Sequence, residues 1–140
     1  MQGDNIQEKT FYFAVRVVKL GEHLKREKQE YIISKQLLRS GTSVGALVRE
    51  AQNAESKADF IHKLSAAQKE CDETRYWLEL SNAVKLLDEK VYQSMHSDAT
   101  ELLKIIRTII IRKKKKKKVI SYALTMLTKQ QLNHLQETDN

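Results

Sequence analysis

Residues 34–52 read Ser34-Lys-Gln-Leu-Leu-Arg-Ser-Gly-Thr-Ser-Val-Gly-Ala-Leu-Val-Arg-Glu-Ala-Gln52. Leu37, Leu38, Gly41, Val44, Gly45 and Val48, with Ile33 just ahead of them, recur at steps of three and four. That is the rhythm of one face of an α-helix, not the alternation of a strand. Gly41 and Gly45 lie on the apolar face, with Ser34 one heptad before Gly41. A glycine costs a helix interior about 1 kcal/mol relative to alanine. Two of them on a core face point to a neighbouring helix that passes close to the backbone, so Gly41 and Gly45 are expected to be close-packing positions.

Three flanking segments keep the same rhythm. Phe13, Val17, Leu20 and Leu24 define a helix over about 6–25, with Gly21 tolerated inside it. Phe60, Leu64, Ala67, Cys71, Thr74, Leu78 and Ser81 define one over about 57–87. Val91, Met95, Ala99, Leu102, Ile106 and Ile109 define one over about 89–111. Ser56 with Asp59 resembles a capping box, and Asp88 suits the free amides that open the last helix. The join near 26–29 has neither glycine nor proline and must be tight. Four helices with short joins and a period near 3.5 predict an all-α, antiparallel up-down-up-down four-helix bundle. The chain has 140 residues, no proline and four glycines, which leaves a sandwich or barrel without its turn residues. The expected division is 1–111 for the bundle and 112–140 for a polybasic run and C-terminal extension, disordered or a short helix.

The net charge of +7 sits in one place. Residues 1–111 carry 17 Lys and Arg against 16 Asp and Glu. Arg112, Lys113, Lys114, Lys115, Lys116, Lys117 and Lys118 supply the excess, and are candidate contacts for a nucleic-acid backbone. Because an apolar segment follows, Arg112 to Leu127 also reads as a membrane-surface anchor. Met1 to Thr10 is too polar for a secretory signal, and no apolar run reaches the length of a spanning helix, so a cytoplasmic location without integral membrane association is expected.

Catalytic patterns are weak. A di-metal bundle site needs paired Glu-x-x-His motifs, and Asp59-x-x-His62 is the single approximation. No metal and no cofactor are expected. Cys71 falls on a core stripe, where an inert thiol is the default. Ser40 to Gly45 has the glycines of a phosphate loop but lies inside a helical pattern with no strand before it. Nothing here predicts an enzyme.

Two surface features remain. At about 100° per residue, Arg39 and Arg49 fall within about 40° of Lys35, on the side of the second helix away from its core face. Lys35, Arg39 and Arg49 are therefore candidate nucleic-acid contacts, with salt bridging to carboxylates an equal alternative. On the third helix, Tyr76, Trp77, Leu80 and Val84 fall at about 160° to 260° from the core direction. They make a second apolar stripe, of the kind that covers itself by self-association, with an intra-bundle contact at the helix flank as the alternative.

The long motif at 34–52, followed by Glu55-Ser-Lys-Ala-Asp-Phe-Ile61, Lys69-Glu70 and Glu73-Thr-Arg-Tyr-Trp-Leu-Glu-Leu80, resembles the bacterial 23S rRNA-intervening sequence proteins. The similarity covers roughly residues 5–111. The resemblance implies a left-handed four-helix protomer and a ring-like homopentamer. It also brings a related branch, the accessory proteins of diversity-generating retroelements, that binds nucleic acid and a reverse transcriptase. No enzymatic activity is established for the family. Leu47 stands where the family usually has asparagine, and the lysine run has no family counterpart. The expected function is a non-catalytic homo-oligomeric module, pentameric by resemblance, that binds RNA or DNA or a ribonucleoprotein. The alternative is a protein–protein scaffold with no nucleic-acid role.

Overall fold

The computed structural model describes residues 1, 3 and 5–138, with Lys117 described by its backbone alone. Four helices follow in order: α1 Ile6–Lys28, α2 Ile32–Gln52, α3 Lys57–Ala83 and α4 Glu89–Thr138. The protein is an all-α four-helix bundle, with no strand among the described residues. The chain divides into two compact units, Met1–Ile110 and Ile111–Asn140.

The first unit is built on the four apolar stripes. Phe13, Val17 and Leu24 of α1, Leu37, Val44 and Val48 of α2, Leu64 and Leu78 of α3, and Leu102 and Ile106 of α4 are all buried. Contacts between helices are local and specific. Val17 and Thr10 of α1 lie against Gly41 and Gly45 of α2. Thr74 Oγ1 is 3.0 Å from Ser40 Oγ across α2 and α3. Cys71 Sγ lies 3.2 Å from the Ala99 carbonyl across α3 and α4, and Arg16 bonds Asp98 at 2.5 Å across α1 and α4.

Helix ends follow their chemistry. Ser56 accepts the Asp59 N–H at 3.0 Å, and Asp59 Oδ2 accepts the Glu55 N–H at 3.2 Å. Helix α2 begins at Ile32, just ahead of the apolar pattern, because Glu30 caps it. The Glu30 carboxylate accepts the N–H groups of Ile32, Ile33 and Ser34 at 2.9–3.0 Å. The turn before it bends through Gln29 in the left-handed region, φ 51°. Helix α3 ends at Ala83 and not near Leu87, since Lys85 also turns left-handed at φ 59°. The Leu86 N–H then reaches back to the Ser81 carbonyl at 2.9 Å, closing a Schellman-type cap.

Two expectations at α4 need correction. Val91 is 38% exposed, and the core face is instead Met95, Ala99, Leu102, Leu103, Ile106 and Ile110. Nor does the helix stop at Ile111. Its backbone stays helical to Thr138, since lysine is a good helix former and no glycine or proline follows Gly45. Taken by itself, the second unit has exposed side chains at every described position except half-buried Lys113.

Candidate assembly and nucleic-acid surfaces

The side chains of Lys35, Arg39 and Arg49 are exposed along α2. They are not equivalent. Arg39 reaches across to α3, pairing with Glu70 at 3.2 Å and with Glu73. The hydrogen bond to Glu73 and the two nearby carboxylates raise the Arg39 pKa above its ordinary value. Glu73 is held below the usual carboxylate range, first by the bond from Arg39 and then by the indole N–H of Trp77, which it accepts at 3.1 Å. The carboxylate beside Arg49 does not join the stripe either: Glu50 pairs with Lys63 of α3 at 3.5 Å. The α2 face is thus part of a charge network with α3, and Lys35 and Arg49 are its outward cations.

The second stripe is divided in its exposure. Trp77 packs half-buried against the core, held by its bond to Glu73. Leu80 is half-buried as well. Tyr76 and Val84 are each 55% exposed. The Tyr76 ring meets the indole edge to face, with centroids 5.0 Å apart. What faces solvent is a ridge of Tyr76, Leu80 and Val84 at i, i+4 and i+8, buttressed from below by Trp77.

Gly41 and Gly45 lie where α1 passes close to the α2 backbone. A Cβ on Gly41 would stand 2.7 Å from both γ-methyls of Val17, and one on Gly45 3.3 Å from the Thr10 carbonyl oxygen. Leu47 is half-buried and packs against the core. In the basic run, Arg112, Lys114, Lys115, Lys116 and Lys118 are exposed and Lys113 is half-buried. The Lys117 side chain lies outside the described residues.

An open groove of about 840 Å³ lies beside Gly45 and Ala46, between α1, α2 and the start of α3. Phe11 lines it and is 56% exposed. In the sequence Phe11 is masked by the core signal of Phe13, two places on, and has no periodic partner of its own. Tyr31 and Ile32 at the α1–α2 turn are exposed too. Burial pushes the Cys71 thiol up to about 12, a value at which it is no nucleophile near neutral pH. Among the described residues no group of three or more His, Cys, Asp or Glu is placed to hold a metal ion. No helix of the described residues is long and apolar enough to cross a membrane.

The family model described as 23S rRNA-intervening sequence protein matches residues 4–108. A solved structure from Bacteroides thetaiotaomicron, a protein of unknown function from the S23 ribosomal protein family, is 47% identical with a TM-score of 0.75. The match covers 76% of this chain and 98% of that one. No curated protein matches.

Proposed function

The chain belongs to the 23S rRNA-intervening sequence protein family, and on that footing we propose that it is a non-catalytic module that assembles with copies of itself and binds nucleic acid as the assembly. The observation that carries this reading is the ridge on α3 of exposed Tyr76 and Val84 with half-buried Leu80 between them, on the side away from the buried stripe of Leu64, Cys71 and Leu78. A ridge of aromatic and aliphatic side chains is covered most economically by its own counterpart on another copy. The family resemblance supplies the number five. Assembly multiplies weak contacts, so Lys35 and Arg49 from each copy, together with the basic run, act by avidity on a phosphate backbone. Arg39 contributes less, since Glu70 and Glu73 already hold its charge.

The test is a gel shift with structured RNA across a salt series, comparing the full chain with one ended after Ile111. The full chain should bind, and weaken steeply as salt rises. Binding by the shorter chain that falls when Lys35 and Arg49 become Gln places part of the contact on α2. A full chain that fails to shift RNA at low salt leaves the protein–protein scaffold as the better reading.

A further inference from the structure

Phosphate binding uses the charge of the basic run and leaves the apolar face that follows it without a role. From Leu102 to Gln136 the chain has no Asp or Glu, while the second unit carries Arg112, Lys113 to Lys118 and Lys129. The backbone there is helical. At about 100° per residue, Val119, Ile120, Tyr122, Leu124, Met126 and Leu127 fall within one arc of about 200°. Ser121, Thr125, Thr128 and Lys129 share the opposite sector of about 100°. The division is clean over that stretch. The six apolar side chains are from 41% (Met126) to 69% (Tyr122) exposed.

We propose that residues 112–129 form a peripheral membrane anchor, with the lysine run on anionic lipid headgroups and the Val119–Leu127 face set into the acyl boundary. Charge selects this occupant. An acid-free cationic segment suits an anionic surface, and a bilayer offers that surface directly above an apolar layer. A nucleic-acid backbone offers the anions but nothing for the aliphatic arc. A second copy of the segment laid parallel to it would bring two lysine runs side by side, which repel. Residues 119–129 span roughly 16 Å of helix against a hydrocarbon core of roughly 30 Å, so the segment lies along the surface and does not cross it.

Flotation of the full chain with vesicles tests this. The chain should rise with vesicles of phosphatidylcholine and phosphatidylserine, and stay behind with phosphatidylcholine alone. Each of the exposed Lys114, Lys115, Lys116 and Lys118 changed to glutamine should weaken binding roughly fivefold. The triple change Ile120→Ser, Leu124→Ser and Leu127→Ser keeps every charge. It should lose at least tenfold in vesicle binding and still shift RNA as the parent does. A parent that fails to float with the anionic vesicles overturns the proposal. So does a triple variant that floats as well as the parent, which would leave the run as a simple polycation.

Discussion

At the scale of single residues, the glycines separate conformational cost from packing need. Gly21 and Gly41 both lie inside helices and both are buried. A Cβ on Gly21 meets only the Ser34 carbonyl oxygen at 3.7 Å, an ordinary contact. A Cβ on Gly41 drives into Val17, whose branched side chain is buried and has no flexible end to move aside. Gly21→Ala should therefore raise stability by about 0.5–1 kcal/mol through helix propensity. Gly41→Ala should lower it by about 1–2 kcal/mol, overpacking outweighing the same gain. Denaturant unfolding of the two variants beside the parent checks both signs. Both positions carry the same residue in the same kind of apolar pattern. Only the neighbour across the interface distinguishes them.

At the scale of elements, α2 depends on a cap that its own residues do not supply. Tyr31, at the N-cap position, makes no side-chain cap bond, and the Glu30 carboxylate takes three of the free N–H groups instead. Burial pushes the Glu30 pKa up, but those three bonds outweigh it and leave the pKa below its ordinary 4.5. A carboxylate held below its unfolded value stabilises the fold above that value, and the stabilisation is lost as pH falls through the lower folded pKa. Glu30→Gln should cost about 1 kcal/mol near neutral pH, in the range of a lost N-cap. The gap between variant and parent should close as pH drops below 4.5. Unfolding midpoints measured across that range decide it, and a gap that persists in acid would place the effect elsewhere. The stripes of all four helices were legible in the sequence because helical burial repeats locally. The Glu30 cap was not, because a glutamate two residues before a helix is common and its backbone geometry decides whether it folds back. The Lys85 turn was missed for a related reason: its usual marker, glycine, is absent.

At the scale of the whole molecule, assembly depends on what covers the α3 ridge. Tyr76 and Val84 are the exposed members, and Trp77 is fixed beneath them by Glu73. Tyr76→Ser together with Val84→Ser should lower the assembled mass seen by light scattering at micromolar concentration while leaving the helical content of each protomer unchanged. Neither residue lies in the core, so loss of the fold is not the expected route. A parent that runs as a monomer removes the self-association reading. An assembled double variant moves the contact to another face, with Tyr31 and Phe11 the other most exposed aromatics on the bundle.

Periodicity and composition alone determined the four helices, most of their buried faces, and the concentration of positive charge after Ile111. Those properties depend on steps of three and four residues, or on simple counting, and need no knowledge of neighbours. Tertiary structure decided which charges are already spoken for. Arg39 looks like Lys35 and Arg49 along α2, yet Glu70 and Glu73 lie 31 and 34 residues away on α3 and take its charge once the helices pack. The separation of Trp77 from Tyr76 has the same origin. A wheel places both on one stripe, while only packing shows which ring reaches the core and which remains to meet a partner.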